Sequence, residues 1–209
     1  VYIPAAFALS EDETAAALRR GGFAHLVSTG PAGLLTTALP LLYDESRHAL
    51  VGHVARANPH WRDGAGEQTV AIFSGVHGYV SPRYYPATAP TAGMAPTWNY
   101  EILTVHGRLV VHDDPAWLRT HVTALTDEHE RGRAAPWRVA EVPDENVTAM
   151  LRAIVGLELP IERVEAKAKL SQNQADPNRR AVIDELAASA DPGENALAHR
   201  MSTAQRPHS

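Results

Sequence analysis

The sequence predicts a mainly β, α+β domain: an antiparallel β-barrel carrying peripheral helices. Three observations lead there. Short runs rich in Val, Leu and Ile recur, each bounded by Gly, Pro or Asn. Helical patterns gather near the two ends and do not alternate with the strands, which argues against a βαβ fold. The chain has 209 residues, 44% of them apolar, and no cysteine, so one ordinary hydrophobic core must hold it without disulfides.

The elements follow in order. Ser10 and Glu13 make a capping-box pattern, Glu11 and Asp12 suit a first turn, and the helix after them stops at Gly21-Gly22. FAHLVST and LLTTALPLLYD read as strands joined by the turn Gly30-Pro31-Ala32-Gly33. HALVGHVA is a third strand, and the chain leaves it at Asn58-Pro59. TVAIFSG and VHGYVSP read as a fourth and a fifth strand. Residues 82–96 form a loop rich in Pro, Ala and Thr, whose length suggests a ligand or partner role. NYEILTVHGRLVVHDD reads as one long strand. A helix from Pro115 to Arg131 repeats Trp117, Leu118, His121, Val122 and Leu125 on one face. A short helix from Asn146 to Val155, a last strand GLELPIERVEAKAKL and a helix from Pro177 to Ala188 complete the pattern. Residues 1–190 are read as a single domain with peripheral and C-terminal helices, and 191–209 as a polar C-terminal tail.

Composition narrows the function. Without cysteine there is no thiolate metal site, no iron–sulfur ligation and no cysteine nucleophile. A formal net charge of -5 offers no global field for DNA, so nucleic acid is not an expected partner. No run reaches the length of a transmembrane helix, and VYIPAAFALSEDE lacks the pattern of a signal peptide. A cytoplasmic protein without membrane contact is expected. No G-x-G-x-x-G, P-loop, H-E-x-x-H, G-x-S-x-G or EF-hand pattern occurs, which argues against a nicotinamide Rossmann domain or a P-loop ATPase.

Three polar clusters carry candidate chemistry. In the segment from Gly52 to Trp61, Arg56 can grip a phosphate or carboxylate, Asn58 can fix a ligand or its own loop, and His60 can ligate a metal through a neutral nitrogen. The plainer reading is a loop pinned by Asn58 with a solvent-facing arginine. Lys167 and Lys169 are the only two lysines, and strand alternation sets them on one face with Ser171 and next to Gln172. Such a row suits an anionic cofactor group, or equally protects an exposed edge strand. Trp98 and Tyr100 flank Asn99 and offer flat surfaces for stacking or for packing. Tyr84 and Tyr85 add two phenols where the long loop opens.

Taken together these motifs resemble the PaiB family of flavin-binding negative transcriptional regulators. The likeness runs through Tyr2-Ile3-Pro4, Gly52-His53 to Trp61, Gly78-Tyr79-Val80-Ser81-Pro82 and Thr97-Trp98-Asn99-Tyr100. It continues through Pro136-Trp137, the segment Met150 to Gly156, and Lys167 to Asn173. It implies the FMN-binding split-barrel fold and a homodimer with cofactor sites at the subunit interface. Two positions depart from the regulators: Ala38 stands where they carry His in a Thr-His-Leu-Pro strand, and Thr104 where they carry His after the Trp-Asn-Tyr motif. The same family contains haem-dependent piperazate synthases, which close N5-hydroxyornithine by forming an N–N bond.

The resemblance thus implies two activities. In the first, haem b acts as a Lewis acid on an amino-acid substrate. His60 would ligate iron, with His53 and His77 as rivals. Arg56, Lys167 and Lys169 would pair with haem propionates or the substrate carboxylate. Tyr100, Tyr84 and Tyr85 would donate protons. In the second, a regulator or small oxidoreductase binds FMN, with Arg56 and Lys169 on the phosphate and Trp98 beside the isoalloxazine. A cofactor-free interaction protein is the third reading.

Overall fold

The computed structural model describes residues 1–86 and 95–204. Eight strands form one sheet, and every pairing resolved between them is antiparallel. In chain order the elements are α1 (Glu11–Arg20), β1 (Gly22–Gly30), β2 (Gly33–Asp44), β3 (Ala49–Ala55), α2 (His60–Asp63) and β4 (Gln68–Val80). Then come β5 (Thr97–Arg108), β6 (Val110–His112), α3 (Pro115–Glu130), α4 (Asp144–Leu151), β7 (Ile154–Pro160), β8 (Arg163–Lys169), α5 (Asp176–Ala187) and α6 (Pro192–Thr203). The chain divides into two compact units. The smaller comprises Val1–Ala15, Ser74–Leu103 and Glu165–Ser209; the larger comprises Ala16–Phe73 and Thr104–Val164.

In the larger unit the strand order is β6-β7-β3-β2-β1-β4. Gly30 pairs with Gly33, so the expected turn closes the β1–β2 hairpin. The inward positions Ala24, Leu26, Leu39, Leu41, Leu50, Val54 and Leu157 are buried. Each buried Leu contributes about 1.5–3 kcal/mol of apolar transfer. Helix α3 packs Leu118 with Val147 and Leu151 of α4. Asp114 caps α3 by accepting from the Trp117 amide at 2.8 Å. The Trp117 ring lies over Gly156 of β7, where a Cβ would sit 2.2 Å from Cζ3.

In the smaller unit the order is β4-β5-β8. Val80, Ala168 and Leu170 form a core with Val182 and Leu186 of α5 and Leu197, Ala198 and Met201 of α6. The capping box at α1 is present: the Ser10 amide donates to Glu13 at 3.0 Å and the Glu13 amide to Ser10 Oγ at 3.2 Å.

Five expectations about elements need correction. TVAIFSG and VHGYVSP are one strand, β4, because Gly75 is not a turn. A Cβ there would lie 2.9 Å from Glu101 Cβ, so glycine admits the neighbouring strand. The long strand after Thr97 breaks at Leu109, whose amide and carbonyl turn to Glu67 O and Gly66 N at 3.2 and 2.7 Å. The last strand divides into β7 and β8: Pro160 cannot donate, and the Ile161 and Glu162 amides go to His48 O and His106 O. The segment read as a polar tail contains α6, capped by Asp191 on the Gly193 amide at 2.7 Å, with Leu197 and Met201 fully buried. Helix α4 also ends at Leu151, four residues before Val155. Of the 82–96 loop, residues 87–94 lie outside the described residues, as do 205–209.

Replacing Gly156 with Ala drives a methyl group into the Trp117 ring, which His112 and His121 flank at 4.3 and 5.3 Å. Overpacking of this kind costs about 1–3 kcal/mol. Urea denaturation should show that loss in G156A, and an unchanged midpoint would refute this packing.

Candidate functional site

The Gly52–Trp61 segment lies in the larger unit, and its polar side chains bond to groups of the chain itself. The Arg56 guanidinium holds Asp113 with both terminal nitrogens, Nη1 to Oδ2 at 2.9 Å and Nη2 to Oδ1 at 2.5 Å. It also donates to the carbonyls of Arg152 and Ile154 at 2.7 and 3.0 Å. The Arg56 hydrogen bond holds the Asp113 carboxyl below its ordinary pKa. Asn58 Oδ1 accepts from the His60 amide at 2.9 Å, and its Nδ2 donates to Thr37 Oγ1 at 3.2 Å. His60 is 1% exposed. Its Nδ1 lies 2.8 Å from Thr37 Oγ1 and its Nε2 2.8 Å from Ser28 Oγ, which itself lies 2.6 Å from Thr69 Oγ1. In this structure Arg56, Asn58 and His60, expected at a cofactor, each bond to groups of the chain itself. A neutral imidazole has one donor and one acceptor, and both are spent on hydroxyls.

A row of side chains missed in the sequence crosses the same unit. His53 Nδ1 lies 3.1 Å from His121 Nε2. Trp117 stacks between His121 and His112, and His112 Nε2 meets Glu158 at 2.7 Å. Arg47 reaches the same carboxylate at 3.4 Å. His121 Nδ1 is buried without a partner among the described residues. The available signal was His121 itself, a titratable side chain at an apolar position of α3. Thr104 is also buried, and its Oγ1 has no partner among the described residues.

The smaller unit gathers the second and third clusters. Lys169 Nζ donates to Thr97 Oγ1 and to Trp98 O, each at 2.6 Å. Burial first, and the Lys167 charge second, lower its pKa. Ser171, held at φ 60°, places Oγ 2.9 Å from Asn99 Nδ2. Lys169 and Ser171 line a pocket of about 310 Å³ with Tyr85, Asn99, Asn173 and Gln174. Burial raises the Tyr85 pKa, so this phenol keeps its proton.

The other expected residues have different surroundings. Lys167 Nζ donates to Tyr2 O at 3.0 Å and sits 5.1 Å from the Tyr100 ring centre, so neither side chain faces the pocket. Gln172 folds back, donating to Ala168 O at 2.6 Å and accepting from the Leu170 amide at 2.7 Å. Lys167, Gln172 and Tyr100, expected at the cofactor, are thus outside the lining of the Lys169 pocket. Tyr84 packs on the α5–α6 core, and burial raises its pKa. Trp98 contributes its carbonyl to Lys169, while its indole lines a separate cleft of about 510 Å³ with His77 and Tyr79. Among the described residues no group of three or more His, Asp or Glu side chains is arranged to hold a metal ion. No described helix is long and apolar enough to cross a membrane.

The family described as "Putative FMN-binding domain" matches residues 1–163. The chain belongs to that family. It is 27% identical over 205 residues to "Protease synthase and sporulation protein PAI 2" of Bacillus subtilis, covering 96% of both chains. The resemblance to the PaiB family read from the motifs is thereby borne out. An uncharacterized protein of Emericella nidulans is 26% identical over 206 residues, covering 76% of this chain and 82% of that protein. Among solved structures, the FAD and haem binding protein from Mycobacterium smegmatis superposes with a TM-score of 0.58 at 20% identity, over 77% of this chain and 71% of that one. The flavocytochrome Anf3 from Azotobacter vinelandii gives 0.56 at 15% identity, over 90% and 74%. At these identities the structures show a shared fold, and the split-barrel expectation holds.

The histidine pair generates a pH dependence. Burial first and His53 second push the His121 pKa down to about 4, and burial lowers His53 as well. The unfolded value is about 6.5. The folded chain therefore takes up the proton less readily than the unfolded chain. Its stabilisation is complete above the unfolded value and is lost as pH falls from about 6.5 towards 4, on the order of 3 kcal/mol. Urea midpoints measured across this window should fall in the wild type and flatten in His121→Leu; parallel slopes would count against the pair.

Proposed function

We propose that the chain binds FMN at the Lys169 pocket and works as a small flavin-dependent redox protein. One observation carries the reading. An ammonium group has three N–H donors, and Lys169 spends two, on Thr97 Oγ1 and Trp98 O. The third is left for a ligand, beside the polar side chains of Asn99 and Ser171. A half-buried cation fixed by two acceptors suits a phosphate group. The residues present therefore fit the phosphate end of FMN, and bound FMN would supply one- and two-electron transfer. Tyr85, with its raised pKa, would hold a proton at the pocket wall. The net charge of -5 places direct DNA reading outside this proposal.

A second reading, haem-dependent ring closure of N5-hydroxyornithine, is favoured by His77 rather than His60. His77 Nδ1 lies 3.2 Å from Gly75 O, which keeps the proton on Nδ1 and leaves Nε2 as an exposed lone pair. Its cleft, however, is lined by Asp191 and Glu194 and by no Lys or Arg. Haem propionates would meet carboxylates there, so the flavin reading stands first.

We also propose a homodimer, supported by one open face of the larger unit. Phe23, Val27, Leu34, Ala38, Pro40, Val70 and Ile72 point outward from paired positions of β1, β2 and β4, with Phe23 67% and Leu34 74% exposed. That face carries no Asp, Glu, Lys or Arg. The face also carries His25, Thr29 and Thr36, and a mainly apolar face of this kind on central strands fits a second copy of itself. Sedimentation should give a dimer in the wild type and a monomer in Phe23→Lys/Val27→Lys; a wild-type monomer at micromolar concentration would refute it.

The visible spectrum of purified protein tests the cofactor. The flavin reading expects flavin absorbance in the wild type, and at least tenfold weaker FMN binding in Lys169→Met. A Soret band that survives Lys169→Met and disappears in His77→Ala would replace flavin with haem.

A further inference from the structure

We infer that the cleft of about 510 Å³ in the smaller unit is a binding site for an organic cation, an aliphatic amine or quaternary ammonium group, separate from the Lys169 pocket. Its walls are aromatic. Tyr79 on β4 and Trp98 on β5 stand at 67° with ring centres 6.4 Å apart, which makes a corner of two π surfaces. Both rings remain in contact with solvent, Tyr79 39% and Trp98 54% exposed. A cation placed over such rings is attracted by their negative faces, by about 0.5–2 kcal/mol each.

The charges around the corner have one sign. Asp191 and Glu194 line the cleft, and neither Lys nor Arg does. Asp191 is committed to the Gly193 amide, where it offsets the positive pole of α6. Glu194 is half-buried and has no hydrogen-bond or ion-pair partner among the described residues. The nearby cation of α6, Arg200, is paired with Glu101 at 2.7 Å. His77, the one basic side chain in the lining, stands 6.2 Å from the Trp98 ring with its Nδ1 held by Gly75 O.

Space completes the case. Gly75, Gly78 and Gly193 put no side chain into the cleft, so an alkyl chain can lie along them and against Val76. A carboxylate without a partner among the described residues, in a cleft that two aromatic rings also line, favours a cation and repels an anion. The lining therefore selects against the phosphorylated ligand that suits the Lys169 pocket.

Calorimetric titration of the purified full chain tests this with three probes: choline, 1,4-diaminobutane and a short lysine-containing peptide. The first two represent free small organic cations, a quaternary ammonium and a diamine, and the third a protein side chain. At least one should bind, and its affinity should fall about tenfold in Glu194→Gln and in Tyr79→Leu. Raising the salt concentration should weaken it further. The neutral isostere 3,3-dimethylbutanol should bind at least tenfold more weakly than choline if choline is the ligand. Flavin absorbance should be unchanged in Glu194→Gln, which separates failure here from failure of the Lys169 reading. No heat of binding with any probe, equal affinity in Glu194→Gln, or a Soret band lost in His77→Ala would overturn the inference.

Discussion

The neutral imidazole of His60 organises the polar interior of the larger unit. Its two nitrogens join Ser28 on β1 to Thr37 on β2, and Ser28 passes the contact on to Thr69 on β4. Thr69 donates to Glu67 O, so Ser28 donates to Thr69 and accepts from His60 Nε2–H, while Thr37, which accepts from Asn58, donates to Nδ1. Burial lowers the His60 pKa, so the ring stays uncharged, as its 1% exposure requires. The rest of the segment serves that placement. Asn58 orients the His60 amide and touches Thr37, Trp61 Nε1 donates to Arg56 O at 2.9 Å, and Arg56 fastens the strand end to Asp113. A motif with the composition of a ligand site is here an internal brace.

The two lysines show how position divides one residue type into two roles. Lys167 and Lys169 share a strand face and a charge. Lys167 is 7% exposed and meets a backbone carbonyl and the Tyr100 ring, a setting that satisfies it within the fold. Two residues on, Lys169 reaches the end of β8, where Ser171 takes a positive φ and the chain turns away. The turn opens the pocket, and Asn99 and Ser171 bond each other across its wall. A non-glycine residue in the left-handed region costs about 1–3 kcal/mol, which marks a place where geometry is held against local preference.

Much of the fold was legible because it rests on local chemistry. The Ser10–Glu13 box, the Gly30–Gly33 turn and the Pro115 helix start each depend on residues within one or two turns of each other. The misread boundaries depend on partners far along the chain. Gly75 looks like a turn until Glu101 is placed beside it, and Leu109 looks like mid-strand until Glu67 takes its amide. Helix α6 looks polar because only Leu197, Ala198 and Met201 touch its core. At the sites, residue types were readable and commitments were not. Nothing local in Arg56 reveals Asp113, and nothing in His121 reveals His53.

The family match and the proposed chemistry overlap only in part. The match ends at residue 163, before Lys169, Ser171, Asp191 and Glu194. It covers the strands that build the larger unit, with the His60 brace, and also Tyr79, Trp98 and Asn99 of the smaller unit. The charged groups of the two proposed sites lie beyond it: Lys169, which donates to two acceptors, and Glu194, which has no hydrogen-bond or ion-pair partner among the described residues. These carry opposite charges, and each lies where its own β-strand or helix leaves the core. Neither side chain belongs to the buried apolar cluster of that unit, so a substitution at either would cost packing little. In the proposed chemistry, ligand identity would be set by a few side chains on a frame that does not itself specify it.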